Sequence, residues 1–228
     1  MSASLSLALI GITVAVFVGA GWLYQRSGKL AFLQPVLIAI VALSVLVFVT
    51  RFSYDTYFEA TRPLHIFLGP AIVALAVPLY ENLRKARTML IPVFGTVLVG
   101  GALVILSALV LGLVFGLPYL LEISLATKSV TAPIALAVAE KIGGIVPLTI
   151  LSVFTTGLLG TVITPPLLSL LGVQDPMLKG FTLGLTSHAF GVARSAEFGT
   201  EAVAFATLAM ALMGCATAIL VPIAFRLL

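Results

Sequence analysis

Residues 88–121 read TMLIPVFGTVLVGGALVILSALVLGLVFGLPYLL, a run of 34 residues without a charged side chain. An α-helix rises about 1.5 Å per residue, so roughly 20 apolar residues cross the hydrocarbon core of a bilayer. The run is long enough for one tilted membrane-spanning helix followed by a turn at Gly116 and Pro118. A stretch of this kind predicts a membrane protein rather than a soluble domain.

The composition of the whole chain supports this prediction. Of the 228 residues, 61% are hydrophobic and 9% are charged, against roughly 45–50% and about 25% in soluble domains. The twelve basic residues exceed the eight acidic ones, but they stand between apolar runs, as charges that flank membrane spans do. Cys215 is the single cysteine and there are two histidines, so neither an internal disulfide nor a metal site is expected. We predict a polytopic membrane protein without cofactor, metal or nucleic-acid partner.

The apolar runs predict an all-α bundle of eight crossings, with seven as the alternative if one short segment is re-entrant. Residues 1–62 are predicted to form scaffold spans and an interfacial loop, and residues 63–228 a transport core. Pro70 should interrupt the span over residues 63–80. Seven basic residues on one side against four on the other favour a bacterial cytoplasmic membrane protein with both termini outside. A homo-oligomer, with a dimer favoured, is also expected.

Two short segments, residues 122–142 and 178–201, combine polar clusters with helix-breaking residues. Pro133 disfavours helical geometry at the residue before it, and Gly191 permits unwinding at its own position. A broken span presents free backbone N–H and carbonyl groups at the middle of the membrane, where secondary transporters bind ligands. We therefore predict that the fifth and seventh crossings are discontinuous and face a central cavity.

The ionisable residues of these segments each have two interpretations. Lys128 either lines a pathway, because a lysine at the centre of a span costs roughly 2.5–3.5 kcal/mol, or extends to the interface. His188 is either a structural histidine or a proton-coupling group, and Arg194 and Glu197 are either a boundary pair or part of a carboxylate site. The predicted substrate-binding residues are Lys128, Ser129, Thr131, Thr186, Ser187, His188 and Arg194. The possible coupling groups are His188, Glu140 and Glu197.

An internal repeat is also indicated. A shift of 57 positions pairs Glu140 with Glu197, Gly157 with Gly214 and Pro165 with Pro222, and it also matches two alanine pairs. With eight crossings, the two copies would have the same orientation in the membrane.

Several motifs resemble one family of bacterial membrane proteins. They are FLGPAIVALAVPLY at residues 67–80, KSVTAPIA at 128–135 and SHAFGVARSAE at 187–197. They are similar to the LrgB/CidB family, to which the C-terminal half of the plant plastidial glycolate/glycerate translocator is related. The resemblance implies one of two functions, each with a small LrgA/CidA-type membrane partner. The first is holin- or antiholin-like regulation of murein hydrolase export and autolysis, and the second is transport of small monocarboxylates such as pyruvate, glycolate or glycerate.

The residues favour the carrier over the holin-like function. A holin needs only the lateral association of apolar helices, whereas Lys128, His188 and two broken spans suit the binding of a small anion. An enzyme is not expected, because the sequence shows neither paired carboxylates in a cavity nor a cofactor loop nor a nucleophile with its base.

Overall fold

The computed structural model of the protein describes residues 3–227, and every regular element in that range is helical. The predicted all-α class is confirmed. Two 3₁₀ turns lie at Ala31–Leu33 and Ala196–Phe198. The α-helices are α1 (Ala3–Arg26), α2 (Pro35–Thr50), α3 (Tyr54–His65), α4 (Leu68–Ala74), α5 (Ala76–Glu81), α6 (Leu83–Thr88), α7 (Leu90–Val114), α8 (Tyr119–Leu125), α9 (Ala132–Ile142), α10 (Val146–Leu170), α11 (Pro176–Ser195) and α12 (Thr200–Leu227).

Four helices of the described range are long and apolar enough to cross a bilayer, and a fifth span results if the bent pair Tyr54–His65 and Gly69–Glu81 counts as one. Helix α2 is also apolar but has only 16 residues. The chain is therefore an all-α membrane protein, whereas eight crossings are not confirmed. The four spans are Ser4–Arg26, Leu90–Val114, Val146–Leu170 and Thr200–Phe225.

The chain divides into two compact units, the first ending at Ala74 and the second beginning at Leu75. In the first unit α1 packs against α2 and α3, and the hydroxyls of Thr13 and Tyr57 are 2.8 Å apart. Pro70 lies in the first turn of α4, where its missing N–H removes no intrahelical hydrogen bond. The predicted functional division after residue 62 stays a prediction.

Helices α7, α10 and α12 frame the second unit, and α7 and α12 run in the same direction. Just before α7, Lys85 donates a hydrogen bond to Glu201 in the first turn of α12, which raises the pKa of Lys85 above its ordinary value. Midway along both helices, a methyl group added to Gly101 would lie 3.4 Å from Met213 Sδ. The end of the unit where α7 and α12 begin is called the Lys85 end, and the opposite end the Phe225 end.

Helices α8 and α9 form a hairpin, the first hairpin, and both of its outer ends lie at the Phe225 end. The ring of Tyr119, where α8 begins, is 6.1 Å from the ring of Phe225. Ile142, where α9 ends, shares a cavity lining with Phe225. As one straight helix, these two ends would be about 34 Å apart. Ile145, just before α10, donates its N–H to Ser124 Oγ at 2.7 Å, so α10 starts at this end and runs opposite to α7.

Helix α11 forms the second hairpin, which enters from the Lys85 end. Its two arms meet at His188, whose φ of 43° and ψ of −127° are not helical. A methyl group on Gly191 would overlap the carbonyl oxygen of Leu183, eight residues earlier and about 12 Å away in a continuous helix. The first arm runs beside the start of α12, because methyl groups on Gly180 and Gly184 would overlap the carbonyls of Ala202 and Ala206.

The sequence places the break of this segment at Gly191, whereas the structure places it at His188. Gly191 instead allows the second arm to pack closely against the first. Pro133 lies in the first turn of α9, directly after the turn that joins it to α8.

The two hairpins give the repeat an orientation different from the expected one. The shift of 57 residues carries α8 onto the first arm of α11, α9 onto the second arm with its 3₁₀ turn, and α10 onto α12. The sequence predicts parallel copies because it counts both hairpins as crossings. Since each hairpin returns to the end from which it enters, the two copies have opposite orientations in the second unit.

Candidate functional site

The first tip, residues 126–131, carries an amine into the middle of the second unit. Lys128 is half-buried, and its Nζ lies 3.4 Å from the carbonyl oxygen of Val104, near the centre of α7. Among the described residues no carboxylate forms an ion pair with it. A cation at this depth needs polar or anionic partners to offset its desolvation. Lys128 is therefore the charged group that the hairpin brings to the unit's centre.

Residues with hydroxyl groups flank this lysine in the sequence of the first tip. Ser129 is buried, and Thr131 precedes α9 in an extended conformation without capping the helix through its side chain. The hydroxyl of Thr127 is fully buried and lacks a hydrogen-bond partner among the described residues. Thr127 is not among the predicted site residues, although its place in the Thr127–Lys128–Ser129 cluster is the signal that could have identified it.

The second tip, residues 186–190, is seated in a notch of α10. His188 is 2% exposed, and its Nε2 lies 3.1 Å from the carbonyl oxygen of Val153. Its Nδ1 is buried and has no partner in the described part of the chain. The notch exists because α10 has Gly157 and Gly160 there: a methyl group on Gly157 would lie 2.8 Å from His188 Nε2, and one on Gly160 would overlap Ser187 Oγ.

Both tips approach one stretch of α7. Lys128 reaches the carbonyl of Val104, and a methyl group on Gly100 would lie 3.0 Å from Leu185, two residues before Ser187. Gly100 and Val104 are about one helical turn apart, a rise of about 6 Å. Val130 of the first tip and Val153, which accepts the His188 contact through its carbonyl, belong to one hydrophobic core. The structure therefore brings the two hairpin tips to the same level of the unit.

Of the remaining predicted residues, Thr186 begins the second tip, and the others lie near the outer ends of the hairpins. Thr186 Oγ1 donates to the carbonyl of Thr182 at 2.8 Å, within its own arm. Arg194 is paired with Glu197 near the Lys85 end of the second hairpin. Glu140 is exposed near the Phe225 end of α9. The two glutamates that the repeat pairs are therefore at opposite ends of the unit.

Comparison with known proteins now places the chain in a family. The LrgB-like family model matches residues 13–227. The chain belongs to the LrgB family. This LrgB-family chain is 32% identical over 210 residues to the uncharacterized protein YxaC of Bacillus subtilis, covering 92% of the chain and 91% of YxaC. The resemblance seen in the motifs is confirmed.

Two further relatives have functional names. The holin-like protein CidB of Staphylococcus aureus is 30% identical over 218 residues, 96% of this LrgB-family chain and 95% of CidB. The holin-like protein CidB of Staphylococcus epidermidis is 32% identical over 191 residues, 84% of the chain and 83% of that protein. No solved structure matches the chain. The relatives' names support the holin-like alternative better than the carrier that the sequence places first.

Proposed function

We propose that the chain is a holin-like protein of the bacterial cytoplasmic membrane that regulates murein hydrolase export and autolysis. The observation that carries this proposal is the match to CidB over 96% of the chain. A holin-like protein acts through lateral association of apolar helices within the bilayer. Helix α7 provides such a surface, since Leu103 and Leu113 are 60% and 74% exposed. Homo-oligomers, with a dimer favoured, and a small LrgA/CidA-type partner are part of the proposal.

A second candidate function is transport of small monocarboxylates, of the pyruvate, glycolate or glycerate class. The specific observation in its favour is the half-buried amine of Lys128 near the centre of α7, without a carboxylate partner among the described residues. A carboxylate that leaves water needs a compensating charge and several hydrogen bonds. Lateral association of helices requires no such cation, so this feature favours a bound anion.

The carrier assigns a role to each group near the tips. Lys128 supplies the charge, while Ser129, Thr131 and Ser187 supply neutral hydrogen bonds together with backbone N–H groups beside the breaks. His188 is the proposed coupling group. Arg194, paired with Glu197, is assigned to the entrance at the Lys85 end rather than to the bound carboxylate.

Purified protein in liposomes separates the two functions. The liposomes contain labelled glycolate and a large fluorescent dye, with and without the small partner. The holin-like function predicts dye release that is unchanged in Lys128→Ala. The carrier predicts saturable glycolate exchange without dye release, lost in Lys128→Ala and kept in Lys141→Ala, the control for an exposed lysine at the outer end of the same hairpin.

A further inference from the structure

The two hairpins share one fold, but they pack unequally against the long helix of the other repeat. At Gly157 of α10, three atoms of His188 and Phe190 lie 2.5–2.9 Å from the position of an added methyl group. The shift of 57 pairs Gly157 with Gly214 of α12. Around Gly214 one atom lies within 4 Å of that position, the terminal carbon of Ile134. At this pair of glycines the second hairpin therefore places three atoms against α10, and the first hairpin places one, at 2.7 Å, against α12.

The hydrogen bonds show the same inequality. The ring of His188 is bonded to the carbonyl of Val153, and the repeat pairs these residues with Thr131 and Met210. Thr131 is half-buried, and its side chain makes no capping bond. Thr217, the counterpart of Gly160, has a buried hydroxyl without a hydrogen-bond partner among the described residues. The hydroxyl of Thr217 on α12 thus has no partner among the described residues, whereas Ser187 occupies the corresponding position beside Gly160 on α10.

A hairpin is called seated when its tip packs closely against the long helix of the other repeat, which is α10 for the second hairpin and α12 for the first. We propose that the two hairpins are seated alternately, and that the seated hairpin closes the site between the tips toward its own end of the second unit. In this structure the second hairpin is seated and closes the Lys85 end. In the other state the first tip is seated on α12, where Thr131 donates to the carbonyl of Met210 and the hydroxyl of Thr217 faces the tip. Met210 and Thr217 are then positioning residues. This inference rests on the carrier, the second candidate function.

Inverted repeats give this exchange a physical basis. Two copies of one fold in opposite orientations can exchange their arrangements at a small difference in free energy. A ligand shifts such an equilibrium by its difference in affinity for the two states. A small anion held between the tips would then be exposed to one side of the membrane at a time.

Disulfide bridges between tip and seat test the exchange in a Cys215→Ser chain. The pair Gly160→Cys and Ser187→Cys reports the seated second hairpin, because the two β-carbon positions are 3.2 Å apart, close to the roughly 3.5–4.5 Å of a disulfide. The repeat-related pair Val130→Cys and Thr217→Cys reports the seated first hairpin. We expect each pair to form its bridge in membranes.

A chain with all four cysteines is the decisive variant, with bridges counted per molecule by mass spectrometry. We expect one bridge or the other in each molecule. Two bridges in the same molecule would overturn the proposal, as would a Gly160–Ser187 bridge that forms while the Val130–Thr217 bridge does not. This count does not depend on transport, so a chain that fails to carry glycolate refutes the carrier and leaves the bridge count to decide on the hairpins.

A conservative variant covers the case in which the cysteine chains do not fold. Thr217→Val keeps the side-chain shape and removes the hydroxyl, and we expect glycolate exchange to slow several-fold at an unchanged half-saturating concentration. Thr182→Val is the matched control, because that hydroxyl donates within its own arm of the second hairpin. Exchange by Thr217→Val at the wild-type rate would refute the seat on α12.

Discussion

His188 holds a backbone conformation that side chains rarely adopt, with φ of 43°. A residue other than glycine in such a region costs about 1–3 kcal/mol and persists only where its surroundings hold it in place. Here the contact with the Val153 carbonyl and the notch at Gly157 hold the ring. The strain is thus concentrated at the residue that joins the two arms of the second hairpin.

Two substitutions at this position separate strain from bonding. His188→Gly and His188→Val both lose the buried ring and its hydrogen bond, but only His188→Gly also relieves the strain, so it should be the more stable of the two. His188→Val loses the bond and keeps a side chain that is branched at the β-carbon at positive φ, which should cost about 2–3 kcal/mol more. Unfolding in detergent micelles measures both variants. Equal stability would show that the conformation carries no strain.

Gly157 tests the notch itself. Gly157→Ala places a methyl group against His188 and Phe190, and overpacking of this kind costs about 1–3 kcal/mol. Gly95→Ala is the control on α7, since nothing lies within 4 Å of its added methyl group and alanine favours a helix by up to about 1 kcal/mol. Thermal unfolding in the same detergent should rank Gly95→Ala at or above wild type and Gly157→Ala below it. The reverse order would contradict the packing of the second tip.

At the scale of elements, a hairpin and a crossing helix differ in the accessibility of their ends: both ends of a hairpin lie on one side of the membrane. Tyr119 and Lys141, at the two ends of the first hairpin, should react with a membrane-impermeant thiol reagent from the same side when each is replaced by cysteine in a Cys215→Ser chain. Gln174 and Gly199, which flank the second hairpin, should both react from the opposite side. All four residues are exposed in the second unit. Labelling of positions 119 and 141 from opposite sides would show that the segment crosses the membrane and does not form a hairpin.

The sequence predicts the breaks but not the hairpins, for a physical reason. Proline at 133 and polar residues within an apolar run are local signals, and they locate both breaks to within a few residues. Twenty-odd apolar residues suit either a crossing or a hairpin, and the choice depends on distant contacts such as Gly180 against Ala202. The sequence cannot indicate that the carbonyl of Val153 is the partner of His188, because every residue has a carbonyl. Lys128 and His188 are detectable because ionisable groups are rare in apolar runs.

At the scale of the whole molecule, the hairpins alter the distribution of charge in the second unit. Because the second hairpin returns to the Lys85 end, its basic residues join those before α7. The Phe225 end has Lys141, and Arg226 follows Phe225 in the sequence. Basic residues favour the cytoplasmic side, so we propose that the Lys85 end is cytoplasmic and that α12 ends outside. The Lys85 end carries Arg84, Lys85, Arg87, Lys179 and Arg194.

Reporter fusions after residue 228 test this orientation. An alkaline phosphatase domain, which is active only outside the cytoplasm, should be active there, and a green fluorescent protein exported in the same way should stay dark. Neutralising Arg84, Lys85 and Arg87 to glutamine removes three of the five basic groups of the Lys85 end, so part of the population should invert and become fluorescent. The matched control neutralises Lys141, which should leave the fusion outside, because it increases the difference in charge. A fluorescent wild-type fusion would reverse the orientation and place the opening of the second hairpin outside the cell.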